Sequence, residues 1–279
     1  MREVDASQIT DIIRKSVIEI NYHLDHSLLQ LIQKAKSKES NQVASSILDD
    51  IIENAKIADT NQAPLCQDTG VVVVFLEIGQ DVHIKGNLNN AINQGVREGY
   101  EKGYLRKSMV NHPFNRKNTG DNTPAIIHTK LVDGDKITLK MAAKGGGSEN
   151  MSIVKMLTPA EGLEGIKQLV LDTVFNAGGK PCPPIIVGLG IGGNFEKSAL
   201  LAKEALLRDL DDHNPDPILH QLEQELLEEI NALGVGPMGV GGETTCLAVK
   251  ANYHPMHIAS LPVAINIQCH SSRHKEVII

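Results

Sequence analysis

The chain has 279 residues, of which 41% are hydrophobic and 22% charged, a length and balance suited to a globular protein with a substantial core. Asp and Glu outnumber Lys and Arg by 34 to 27, and aromatic residues make up 3% with no Trp, which argues against a nucleic-acid surface or a platform for stacking bases. The N-terminus MREVDASQ lacks the apolar segment of a signal peptide, and the longest clean apolar run, Val71 to Leu76, is far shorter than the roughly 18 residues of a membrane span. The expectation is a cytoplasmic protein that binds neither nucleic acid nor membrane. In that compartment its four cysteines read as ligands, catalysts or core filler more readily than as disulfides.

Taken in order, Asp5 or Ser7 can cap a helix with Ile9, Ile12, Ile13, Val17 and Ile20 on its apolar positions. HSLLQLIQKAKSKES and NQVASSILDDIIENAKIAD follow as amphipathic stretches, so residues 1–60 read as helical throughout. PLCQDTG then leads into a strand from Val71 to Ile78. NLNNAINQGVREGYEKG is a helix, and a polar loop runs from Val110 to Asn122. PAIIHTKLV and KITLKMAA flank VDGD, whose Asp-Gly is a hairpin signal. After KGGGSEN come SIVKML, the helix EGLEGIKQLVLDTVFNAGG with its terminal glycines, and the strand-and-turn PIIVGLGIGG. Helices FEKSALLAKEALL and HQLEQELLEEINAL precede two strands, TTCLAVKANY and SLPVAINIQC. The predicted fold class is α/β: a single domain with a helical N-terminal lead-in and a mixed β-sheet core flanked by helices.

Gly188, Gly190 and Gly193 match G-x-G-x-x-G between a strand and a helix, which is part of a dinucleotide-binding context. The acids that fall about 20 residues later, Asp209, Asp211 and Asp212, follow a helix with no second strand between, so the ribose-binding half of the motif is missing. The glycines read instead as a tight turn or a place where backbones pass closely.

Cys66, Cys182, Cys246 and Cys269 contain no C-x-x-C, which gives no support for a zinc ribbon or a ferredoxin-type run. Cys66, Cys182 and Cys269 sit at the ends of elements, in PLCQDTG, GGKPCPP and IQCH, whereas Cys246 lies within an alternating strand as a core residue would. Three thiolates would hold an iron–sulfur cluster with one iron left open, and an open iron is a Lewis acid toward a hydroxyl. Asp68 and His257 are candidate proton carriers, and Arg106 is a candidate clamp for a carboxylate. Each has a plainer reading: Asp68 as a turn or cap, Arg106 as a surface cation, His257 as a structural hydrogen-bonder. Lys144 to Asn150, KGGGSEN, is either a flexible turn or a nest of backbone N–H groups for an anion.

In this order, PLCQDTG, LRKS, KGGGSEN, GGKPCPP, GLGIGG, GPMGVGGETT and HIASLPVAINIQCH resemble the α subunit of two-subunit class I fumarases and the related L-tartrate dehydratases, from about Asn61 to His274. The resemblance implies a hydro-lyase with an oxygen-sensitive [4Fe–4S] cluster held by Cys66, Cys182 and Cys269, its fourth iron binding a four-carbon dicarboxylate. It places Asp68, Arg106 and His257 at active-site positions, Gln67 beside the substrate, and Gly145, Gly146 and Gly147 in a substrate-binding loop. It leaves Cys246 outside the ligand set.

Single-chain relatives carry a further C-terminal domain that completes the site. This chain ends at Ile279, so the resemblance implies a smaller β subunit and an α2β2 assembly. The expected reaction is hydration of fumarate to L-malate, a step of the tricarboxylic acid cycle, with L-tartrate dehydration as the alternative. An electron-transfer iron–sulfur protein is a rival of another class; it needs a fourth ligand, for which Cys246 is the sole candidate.

Overall fold

A computed structural model describes all 279 residues. In chain order the elements are β1 (Arg2–Asp5), α1 (Ala6–Tyr22), α2 (His26–Lys38), α3 (Gln42–Asn61), β2 (Val71–Gly79), β3 (Val82–Lys85), α4 (Leu88–Lys102), β4 (Ile126–Val132) and β5 (Ile137–Lys144). They continue with α5 (Gly146–Glu149), β6 (Ile153–Leu157), α6 (Gly162–Ala177), β7 (Ile185–Gly192), α7 (Phe195–Ala205), α8 (Pro217–Ala232), β8 (Cys246–His254), β9 (Leu261–Gln268) and β10 (His274–Ile278). This is the α/β class. The chain divides into two compact units: Met1–Leu24, Ala55–Gly146 and Arg273–Ile279 form the first, and Asp25–Asn54 with Gly147–Ser272 form the second. Both are discontinuous, so neither shows in the sequence as a shift of composition or a linker.

In the first unit, Asp5 caps α1 by accepting the Ser7 N–H at 2.8 Å, and Ile9, Ile13, Val17 and Ile20 form the buried stripe that the sequence period calls for. That stripe joins Ile92, Val96 and Tyr100 of α4 and the inward residues of a four-stranded sheet in one apolar cluster. The sheet runs β10-β5-β2-β4, with β2 antiparallel to β5 and parallel to β4. Strand β2 is one of its two inner strands, and its residues Val72 to Leu76 are buried on both faces. Here the structure corrects the hairpin expectation: β4 and β5 do not pair, because β2 lies between them and takes an edge of each. The VDGD loop instead crosses the end of β2, where Gly79 N–H bonds the Lys136 carbonyl and Asp81 N–H bonds the Gly134 carbonyl. The lead-in is likewise not helical from its first residue, since β1 pairs in parallel with β3.

The second unit holds a sheet in the order β6-β9-β7-β8, with β7 parallel to β8 and β9 antiparallel to both β7 and β6. Val187 and Leu189 of β7, with Val263, Ile265 and Ile267 of β9, pack against Val170 and Val174 of α6 and Leu222, Leu226 and Ile230 of α8. The alternate residues of β7 face α7, and there Gly188 and Gly190 are required. A Cβ on Gly188 would stand 2.2 Å from the Ala202 carbonyl oxygen, and one on Gly190 2.0 Å from that of Ser198. The glycine pattern is thus a helix–strand contact, as the missing second half of the nucleotide motif implies. No helix is long and apolar enough to cross a membrane.

Candidate active site

Cys66 stands half-buried in the loop between α3 and β2 of the first unit, its Sγ 3.3 Å from Oε1 of the exposed Gln67. The loop closes on Gly70, whose φ of +75° favours glycine and whose Cβ would meet the Lys144 backbone at 2.7 Å. Asp68 is tied at both carboxylate oxygens: Oδ1 accepts the Gly70 N–H at 3.1 Å and Oδ2 the Gly146 N–H at 2.8 Å. The glycine loop therefore does receive an anion through its backbone, and that anion is the chain's own Asp68. Gly145 is buried beside it, while Gly146 and Gly147 are exposed and Lys144 is buried at the end of β5.

Thr69 connects this loop to Arg106, its hydroxyl donating to the Arg106 carbonyl at 2.7 Å. The Arg106 side chain is exposed and pairs with no carboxylate. Tyr100 donates its hydroxyl to the carbonyls of Thr69 at 2.6 Å and Gly70 at 3.0 Å. Asn122 donates its amide to the Gly70 carbonyl at 3.1 Å and accepts the N–H groups of Ser108 and Met109. Burial lifts the Tyr100 hydroxyl well above the ordinary tyrosine range, so it stays a donor at every working pH.

Cys182 and Cys269 belong to the second unit, and both are half-buried. Cys182 has φ +57°, an uncommon conformation for a residue other than glycine, and its N–H turns back to the Gly179 carbonyl. Its carbonyl accepts from both the backbone N–H and Nδ1 of His270 at 3.4 and 2.9 Å. Two of the expected cluster cysteines are thereby fastened in adjacent loops by the residue that follows the second. The glycine-rich stretch 234–242 braces the same place, with Met238 N–H on the Pro183 carbonyl.

His257 is exposed in the loop between β8 and β9. Its Nδ1 accepts the Ala259 N–H at 3.1 Å, so a neutral ring carries its proton on Nε2, the nitrogen left for chemistry. It borders a surface hollow of about 460 Å³ with Lys197, His254 and Met256.

None of the four cysteines is in a disulfide. Cys246 is 2% exposed in the core of the second unit, and burial pushes its thiol up to about 12. A metal ligand must be thiolate, so Cys246 is unsuited, while Cys66, Cys182 and Cys269 offer soft sulfur donors on loops. Within each unit, no three His, Cys, Asp or Glu side chains group as a metal site by themselves. By chemistry alone, these three loop thiols are soft donors of the kind an iron–sulfur group takes, and Cys246 is not available as a fourth. Sequence reasoning missed the anchors Asn21, Tyr100, Asn122 and Arg273, whose signal lies in polar burial and not in any motif.

The family described as Fumarate hydratase (Fumerase) matches residues 10–278. A protein of Methanocaldococcus jannaschii named "Putative L(+)-tartrate dehydratase subunit alpha" is 44% identical over 273 residues, 95% of each chain. The L(+)-tartrate dehydratase subunit alpha of Escherichia coli strain K12 is 28% identical over 277 residues, 98% of this chain and 91% of that one. Its namesake in strain UTI89 is 29% identical over 271 residues, covering 96% and 89%.

Proposed function

Because the chain belongs to the fumarate hydratase (Fumerase) family, we propose that it is the cluster-binding α subunit of a cytoplasmic [4Fe–4S] hydro-lyase that hydrates fumarate to L-malate reversibly, as in the tricarboxylic acid cycle. The observation that carries this reading is the family match across residues 10–278 together with three loop thiols and a fourth that is locked in the core. Cys66, Cys182 and Cys269 would hold the cluster, which when bound supplies a Lewis-acidic iron for the substrate hydroxyl and its neighbouring carboxylate.

The chain's own residues then have defined work. Arg106, exposed and without a carboxylate partner, holds a substrate carboxylate bidentately. Gln67 donates to the substrate, and the loop of Gly145, Gly146 and Gly147, held to Asp68 through the Gly146 N–H, lines the substrate beside it. Asp68 or His257, the latter through Nε2, delivers the proton that accompanies the departing hydroxide. A dianionic substrate needs more cations than Arg106 and Lys144, and the β subunit supplies them with the carbon base. The relatives' names, which specify a subunit alpha, support such a partner, and closed two-fold symmetry favours α2β2.

The second reading is L(+)-tartrate dehydration, favoured by those same names. The chain is to be purified with its partner, loaded with iron and sulfide without oxygen, and assayed on L-malate, fumarate and both tartrates. The highest kcat/KM is expected on fumarate and malate. Preference for L(+)-tartrate selects the second reading, and turnover of none overturns the hydro-lyase.

A further inference from the structure

Arg273 opens the last segment of the first unit and is 2% exposed, among the largest side chains to be so buried. A guanidinium is charged at every working pH, and burying one without a carboxylate costs stability that an apolar residue of equal volume would not. Arg273 has no carboxylate partner. Its Nη1 donates to Asn21 Oδ1 at 3.0 Å and to the Asp68 carbonyl at 2.6 Å, and its Nε has no acceptor. Asn21 is itself fully buried: Nδ2 donates to the Val17 carbonyl at 2.7 Å, and its backbone carbonyl accepts the Leu65 N–H at 2.8 Å. The residue before Cys66 and the residue two after it are therefore fastened to a single Arg–Asn pair.

We infer that Arg273 is a positioning residue, whose guanidinium sets the Leu65–Asp68 backbone and so the direction in which the Cys66 thiol and the Asp68 carboxylate are presented. It touches main chain and amide only, so its effect on the reaction is exerted through the loop. The use of that geometry rests on the function proposed above; the fastening does not.

The test compares wild type, Arg273→Met, Arg273→Gln and Arg273→Lys in the complete assembly, with Ile92→Val as a control for mild core loss in the same unit (Ile92 is fully buried). Hydrogen exchange at the Leu65 and Gly70 amides and the separate kcat and KM on the dicarboxylate are read. Arg273→Met and Arg273→Gln are expected to speed exchange in the loop at least tenfold while β5 keeps its protection. They should lower kcat at least tenfold with KM within threefold. Arg273→Lys should recover part of both, and Ile92→Val should move neither. Wild-type loop exchange and kcat in Arg273→Met would overturn the inference, as would faster exchange spread evenly over the unit. Should Arg273→Met fail to fold, Arg273→Gln decides by the same criteria. A wild type with no turnover would defeat the proposed function, and the exchange data would still decide on Arg273.

Discussion

At the residue scale the four cysteines part by environment. Three stand half-buried on loops, and one has its sulfur 3.2 Å from the Ala248 carbonyl inside a sheet. Replacing Cys66, Cys182 or Cys269 by Ser should abolish iron incorporation in each case. Cys246→Ala should keep full iron at a stability cost of roughly 1–2 kcal/mol. Iron analysis after anaerobic reconstitution checks both, and undiminished iron in any of the three serine variants removes that ligand. Asp121 gives a pH prediction in the loop that follows Arg106. Burial works to raise its carboxyl, but the Thr123 hydroxyl and N–H and the Arg97 guanidinium outweigh it and hold it at about 2. Its folded pKa is below the ordinary 3.8, so its contribution is complete above that value and is lost as pH falls from about 4 through about 2. The shift corresponds to about 2 kcal/mol before solvent screening and roughly 1 kcal/mol after it. Asp121→Asn should therefore cost about 1 kcal/mol at pH 6 and almost nothing at pH 2, read by urea unfolding. An equal cost at both pH values contradicts the pairing. The turn that carries Cys66 and Asp68 was legible in the sequence, because PLCQDTG is a short motif ending in a turn glycine. Arg273 and Asn21 were not, because they are 252 positions apart and nothing in either neighbourhood marks a polar residue as buried.

At the element scale, periodicity did most of the work. Helix α1 and its Asp5 cap follow from the spacing of Ile9, Ile13 and Val17, and β2 from its apolar run. Pairing is harder to read, because Asp-Gly marks a turn without saying which strands flank it in space. The burial of β2 on both faces is what decides that it sits between β4 and β5. Strands β1, β3 and β10, of four, four and five residues, are too short for a period and are fixed by their partners. The G-x-G-x-x-G stretch shows how a ligand motif arises from packing, since α7 crosses β7 at backbone distance. Gly190→Ala would place a Cβ 2.0 Å from the Ser198 carbonyl and 2.5 Å from the Ala202 nitrogen. A loss of about 2 kcal/mol or more is expected in denaturant unfolding, because the helix must move away from the strand. A change within about 0.5 kcal/mol would show that α7 is not seated as described.

For the whole molecule, the net charge of −7 makes it a poor receptor for a dianion unless cations are concentrated locally. Arg106 is the exposed, uncommitted guanidinium beside the Cys66 loop, and Arg273 is spent on the Asp68 carbonyl and the Asn21 amide. The cluster-loaded chain alone should turn over malate at least a hundredfold more slowly than with its β partner, measured by absorbance at the fumarate band. Comparable rates would place all catalytic groups within these 279 residues. The central claim is a three-thiolate cluster with one iron open to a dicarboxylate. It is tested most directly by electron paramagnetic resonance of the reduced, anaerobically reconstituted assembly before and after addition of fumarate. Altered g values, with iron near four per chain, are the result predicted here. A spectrum unchanged by saturating fumarate and by both tartrates would mean a coordinatively complete cluster, and the hydro-lyase account would give way to electron transfer.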